Sequence, residues 1–301
     1  MHDETAPMLS THRHEESADG PVEGDTPQAL NGAGLERMLR GDAAGALEQL
    51  ARGLALAPDS AVLRNNYGSA LLALGRADEA RASFELAAAA APGYTPPLRN
   101  LALLEQLAGR ADAAIAGYRR YLHVAPQDGR ACYNLGLLLM AAGAEDEALA
   151  ALGVTAEALA PDSVEGLVAM GVARLLRREL GEAVGLLETA LAAEPGDHSA
   201  AYYLGLAYLA LGRYKPSIAL LEVVAGAMPE HPQALANLGV AYLSAGQPVR
   251  AVAIFDGLLR LAPDHPSHLL NLGLACREGG QQERAAACFS RLLIVSPAGS
   301  D

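Results

Sequence analysis

Proline recurs through this chain at a nearly fixed interval. Pro58, Pro92, Pro126, Pro161, Pro195, Pro229, Pro263 and Pro297 are separated by 34, 34, 35, 34, 34, 34 and 34 residues. A period of this length marks a repeat array, in which each unit buries its apolar face only by stacking on its neighbours. Counting one period back from Pro58 places a first unit at 25–58, so the array spans 25–301 in eight units. The preceding segment, 1–24, holds almost no large apolar residues. Residues 1–25 carry seven acids against Arg13. Such a segment cannot bury enough surface to order itself and is expected to be a disordered acidic tail.

Each unit has the same internal grammar. A small residue stands 24 before the proline at Gly34, Gly68, Ala102, Gly171, Gly205, Gly239 and Gly273, and 25 before it at Gly136. A second small residue follows nearer the proline at Ala46, Ala80, Ala114, Ala148, Ala183, Ala251 and Ala285. Between them lies a turn glycine: Gly41, Gly75, Gly109, Gly143, Gly212, Gly246 or Gly280. Two helices joined by a glycine turn satisfy this pattern. Small residues let antiparallel helices approach, glycine ends the first helix, and proline ends the second because it has no N–H to continue it. Asp59, Ser60, Asp162, Ser163 and Asp264 follow prolines closely and are suited to cap the next helix. Ala and Leu, both strong helix formers, make up more than a third of the chain. The fold class expected is therefore all-α.

These units resemble tetratricopeptide repeats; the stretch Ala61–Pro92, AVLRNNYGSALLALGRADEARASFELAAAAAP, is representative. The resemblance implies a right-handed α-solenoid of helix–turn–helix units whose first helices line a concave groove, and a role as a protein-interaction scaffold. It further implies that the groove is lined from the second, fifth, sixth, ninth, twelfth and thirteenth places of each first helix. Asn66, Asn100, Asn134, Asn237 and Asn271 occupy the sixth place. They resemble an asparagine ladder, in which each amide offers a donor and an acceptor to the backbone of an extended target. Five such contacts at about 1 kcal/mol each give roughly 5 kcal/mol, whereas micromolar binding needs about 8. Apolar groove residues must supply the rest, with Tyr133, Tyr202 and Tyr203 as the anchors, since tyrosine is favoured at binding hot spots. The resemblance also places a carboxylate clamp at the second and fifth groove places, where Arg99 and Arg130 are the basic residues, a weaker form of the clamp some members of the family use.

The pattern falters mid-array. The fourth unit has one extra residue, the fifth has Arg178 in place of the turn glycine and Ala169 in place of the ladder asparagine, and the sixth has Tyr203 there. Two half-grooves, 25–161 and 162–301, meeting at a local bend, are expected. The last helix ends in Leu292, Leu293, Ile294 and Val295. With no polar capping helix after it, this uncapped helix is expected to offer a surface for homo-oligomerisation or for a partner.

Other function classes are disfavoured. Lys+Arg 22 against Asp+Glu 35 gives a net charge of −13, which opposes binding to nucleic acid or to anionic membranes. Lys215, the single lysine, lies between Tyr214 and Pro216 and belongs to no phosphate-binding loop. Neither GxSxG nor HExxH occurs, so no enzyme is expected. Cys132, Cys276 and Cys288 form no CxxC and read as free buried thiols. His265 and His268, within DHPSH, read as polar residues of a repeat junction rather than a metal site; no metal or cofactor is expected. No uncharged run reaches the roughly 20 residues of a membrane span, and the first residues do not resemble an export signal. The expectation is a cytoplasmic, non-catalytic adaptor from a GC-rich bacterium that holds a partner peptide or helix. The alternatives are a self-assembling structural protein and a bacterial pilus or secretion assembly factor.

Overall fold

A computed structural model of the chain describes residues 26–160, 162–229 and 231–296. The acidic tail, Pro161 and Pro297 lie outside the described residues. Sixteen helices follow one another in pairs within the described residues: α1 (Pro27–Leu39) with α2 (Ala43–Leu56), α3 (Ala61–Ala73) with α4 (Ala77–Ala90), α5 (Pro96–Leu107) with α6 (Ala111–Leu122), and α7 (Gly129–Ala141) with α8 (Glu145–Ala158). The second half repeats the scheme with α9 (Val164–Leu176) and α10 (Leu180–Ala193), α11 (His198–Ala210) and α12 (Tyr214–Ala227), α13 (Pro232–Ser244) and α14 (Pro248–Leu261), and α15 (Pro266–Glu278) and α16 (Gln282–Val295). The fold is an all-α helical repeat. The chain divides into two compact units, one ending at Ala158 and the other beginning at Leu159.

The turn chemistry is the one the glycines specify. All seven turn glycines have φ between +69° and +78°, a left-handed conformation that costs a glycine nothing. At the first turn Gly41 N–H donates to Met38 C=O at 3.0 Å and Asp42 N–H to Arg37 C=O at 2.9 Å. This double bond pattern closes the helix end and satisfies its last carbonyls. Arg178 takes the same conformation, φ +62°, without glycine's freedom.

Helix starts differ in detail from the sequence reading. Ser60 and Ser163 cap α3 and α9 through their hydroxyls as expected. Asp59, Asp162 and Asp264 do not cap, because the cap falls two residues after the proline and these stand one residue early. Asp42, Asp128 and Asp197 cap α2, α7 and α11 instead. Asp264 is bound to Arg291 at 2.8 Å.

Within each pair one large side chain fills the space that the small residues leave. Leu50, Phe84, Tyr118, Leu152, Leu187, Leu221 and Phe255 stand at corresponding places and are all fully buried. Gly68 is required for this: a methyl group there would lie 2.7 Å from the Phe84 ring. The third pair trades the roles, with Ala102 on α5 and Gly117 on α6, where a methyl group would lie 2.9 Å from the Ala102 methyl. Burying each Leu or Phe contributes about 1.5–3 kcal/mol.

Successive pairs stack unequally. First helices pack on one another, α1 on α3 and α3 on α5 in the first unit, and α9 on α11, α11 on α13 and α13 on α15 in the second. Second helices meet through long side chains: Arg119–Glu147 (2.6 Å) bridges α6 and α8, Arg250–Glu222 (2.7 Å) bridges α14 and α12, and Arg284–Asp256 bridges α16 and α14. Within each unit the first helices therefore form the closer-packed row.

Candidate functional site

The row of first helices carries the ladder asparagines, and their amides are turned along the row. Asn66 Nδ2 donates to Asn31 Oδ1 at 2.8 Å, and Asn100 Nδ2 to Asn65 Oδ1 at 2.9 Å. Asn65 Nδ2 in turn donates to Asn66 Oδ1 at 3.3 Å. Four amides thus form one relay, Asn100 to Asn65 to Asn66 to Asn31, across α5, α3 and α1. In the second unit Asn237 Nδ2 donates to the Tyr202 hydroxyl at 2.8 Å. In each cross-repeat bond the sixth-place amide reaches the fifth-place residue of the preceding repeat.

Two exceptions confirm the geometry. The fifth place facing Asn134 is Arg99, a donor only, so Asn134 Nδ2 turns to the Tyr118 hydroxyl at 3.1 Å, which itself donates to Gln106 Oε1 at 2.9 Å. The fifth place facing Asn271 is Ala236, and the Asn271 side chain makes no hydrogen bond among the described residues.

Asn66 and Asn100 are fully buried, whereas Asn134, Asn237 and Asn271 are half-buried. The three tyrosines divide in the same way. Tyr133 and Tyr203 are buried and Tyr202 is half-buried, meeting the Tyr203 ring edge-on at 5.0 Å. Burial pushes the phenols of Tyr202 and Tyr203 upward.

The two groove arginines stand apart. Arg99 Nη1 binds Asp128 Oδ2 at 2.9 Å, and the Tyr121 hydroxyl donates to the same oxygen at 2.7 Å. Burial raises the Asp128 carboxyl, but the bonds from Tyr121, the Ala131 N–H and Arg99 outweigh it and hold the group below its usual range. Burial, then Asp128, push the Tyr121 phenol up to about 12. Arg130 is exposed at the start of α7. The large apolar side chains most open on this row, all at groove places, are Leu39, 80% exposed, Leu107, 44%, and Val62 and Leu270, 42% each.

Several participants escaped the sequence reading. Asn31, Asn65 and Asp128 are the acceptors that hold the ladder and Arg99, and a fixed offset of 35 residues from each ladder asparagine would have found the first two. Tyr208 and Tyr242 form a matching set between rows. The Tyr208 hydroxyl bonds Glu188, and the Tyr242 hydroxyl donates to Glu222 at 2.5 Å. Arg213 and Arg250 lie over these rings at 4.5 and 4.1 Å from the centroids. His268, read as a junction residue at the surface, is buried. All three cysteines are free and buried, and burial raises the Cys132 thiol to about 11. Lys215 borders an open hollow of about 500 Å³ with Tyr214, Ile218, Ala245 and Gln247. Among the described residues no three His, Cys, Asp or Glu side chains are placed to hold a metal, and no helix is long and apolar enough to cross a membrane.

Two family models, both described as tetratricopeptide repeat, match the chain. One covers residues 99–164, 217–266 and 237–300, and the other covers 37–104 and 174–238. The chain belongs to the tetratricopeptide repeat family. Its fold is similar to that of a tetratricopeptide repeat protein from Parabacteroides merdae, with 20% identity over 84% of this chain and 99% of that one and a TM-score of 0.54. It is also similar to a chain of the APC/C hetero-tetramer Cut9–Hcn1, at 19% identity and a TM-score of 0.61, over 83% of this chain and 48% of that one. At these identities the likeness establishes the fold. No curated protein matches the sequence. The family supports a protein-interaction scaffold as the general role.

Proposed function

We propose that this tetratricopeptide repeat chain is a non-catalytic adaptor of the bacterial cytoplasm that holds a peptide or helix of a partner protein against the row of first helices. The observation that supports this most is the unequal stacking: within each unit first helices pack on first helices more closely than second helices on second helices, and that row leaves Leu39, Leu107, Val62 and Leu270 partly exposed. The groove assignment distributes the sequence-derived residues by reach. Asn134, Asn237, Asn271, Tyr202 and Arg130 keep exposed surface and are the direct contacts. Asn66, Asn100, Tyr133, Tyr203 and Arg99 are held inside the row and position it.

The test uses a photoreactive amino acid placed at position 62, 270 or 223 of the full chain. Val223 on α12 is 58% exposed and lies on the second-helix row. Partner crosslinks from 62 and 270 but not from 223 support the groove. Crosslinks from 223 alone refute it. A second reading, self-assembly, draws on α16: Leu293 and Ile294 are 68% and 77% exposed. Under that reading light scattering finds a dimer that Leu293→Glu dissolves; a monomer at every concentration refutes it.

A further inference from the structure

We propose that His265 and His268 form an acid-sensitive joint that loosens the α15–α16 hairpin from α14 as pH falls below neutrality. Three geometric facts carry the proposal. First, His268 occupies a place that other repeats fill with Leu63, Pro97, Ala131, Gly166, Ala200 or Ala234, where a first helix packs against the preceding second helix. The imidazole is only 8% exposed and lies 6.5 Å from the fully buried Phe255 ring of α14. Second, its Nδ1 is buried without a hydrogen-bond partner among the described residues. Third, the His265 ring is stacked on it, centroids 3.9 Å apart and 18° from parallel. One repeat earlier His231 uses its ring differently, accepting the Ala234 N–H at 3.2 Å to cap α13. His265 at the start of α15 makes no such bond.

The surroundings favour a neutral His268 ring. A charge on His268 would sit in an apolar joint, and a second charge on His265 would face it at stacking distance. Charged side chains on the adjoining elements do not compensate. On the loop before α15, Asp264 is held by Arg291 of α16 at 2.8 Å. On α14, Asp256 is held by Arg284 of α16, and Arg260 is a cation at the exposed end. Burial, followed by His265, lowers the affinity of His268 for a proton below that of free imidazole. The sign follows from linkage. The docked joint binds fewer protons than the loosened one, so docking is fully favoured above about pH 6.5 and is lost as pH falls toward the lowered value. The opening equilibrium then rises by up to about tenfold per pH unit for one proton taken up.

Hydrogen exchange of the full chain at pH 7.5 and 5.5, each corrected for intrinsic exchange, tests this. The expected result is a loss of protection across α15, up to about tenfold, with α11 unchanged because Ala200 stands at the same place. His268→Ala, the residue of four other repeats, and His268→Leu, which refills the space, are both expected to abolish the pH dependence of α15. Titration of His231 would register in α13 and so remain separate. Equal protection of wild-type α15 at the two pH values overturns the proposal, as does a pH dependence that survives both substitutions.

Discussion

Replacing Asn66 with alanine separates a structural ladder from a ligand-binding one. Asn66 is fully buried, donates to Asn31 at 2.8 Å and accepts from Asn65 at 3.3 Å. Two bonds worth about 1 kcal/mol each disappear, and the buried Asn65 amide loses its acceptor, which costs about 1–3 kcal/mol more if nothing replaces it. Asn31 is half-buried and regains water. The expected loss is about 3 kcal/mol. Repeat arrays open unit by unit, so the suitable assay is native-state amide exchange across α1, α3 and α5 rather than a whole-chain melt. About 3 kcal/mol corresponds to roughly a hundredfold loss of protection there. Asn271 holds the same place in its repeat, but its side chain makes no hydrogen bond among the described residues. Asn271→Ala should change protection in α13 and α15 by less than about threefold, the range of an ordinary surface change. Unchanged protection in Asn66→Ala, or an equal loss in Asn271→Ala, would refute the idea that the cross-repeat amide bond is what the ladder contributes.

Three further outcomes follow from the geometry. Gly68→Ala should destabilise α3–α4 by about 1–3 kcal/mol because the new methyl meets the Phe84 ring at 2.7 Å, whereas Gly153→Ala, with nothing within 4 Å in α8, should gain about 0.5–1 kcal/mol; urea titration of both variants checks the contrast. Arg178→Gly should raise stability by about 0.5–1 kcal/mol by relieving a left-handed residue at φ +62°, and a lowered urea midpoint would contradict it. Tyr242, whose phenol burial and then Glu222 push up to about 12, should remain un-ionised to about pH 11 by ultraviolet titration; the stability it contributes is full below about pH 10 and lost as pH rises toward 12, and Tyr242→Phe should remove that part of the alkaline loss.

The architecture was legible because its determinants are local. A glycine that must take positive φ, a proline that ends a helix and small residues facing one large side chain each act within a single hairpin. The period repeats those instructions eight times. The cap positions slipped by one residue because a cap depends on where the chain leaves the proline turn, and Asp59 and Ser60 are equally suitable in sequence. The binding face was legible only as a set of places. Asn66 and Asn271 are indistinguishable by type and register, yet one is locked in a four-amide relay and the side chain of the other has no hydrogen-bond partner among the described residues. The difference lies 35 residues upstream, at Asn31 and Ala236, and becomes a contact only when consecutive repeats stack.

The sequence by itself determined the period, the all-α hairpin unit and the turn conformations, since these follow from backbone sterics and from neighbours within about 20 residues. Tertiary structure decided how each side chain is used. Stacking of the first helices turned the ladder amides along the row, let Asp128 hold Arg99, and placed His268 inside an apolar joint instead of at the surface. A polar group's role is set by which partner lies within hydrogen-bond reach and how much water remains around it. Both are fixed by the packing of one repeat on the next.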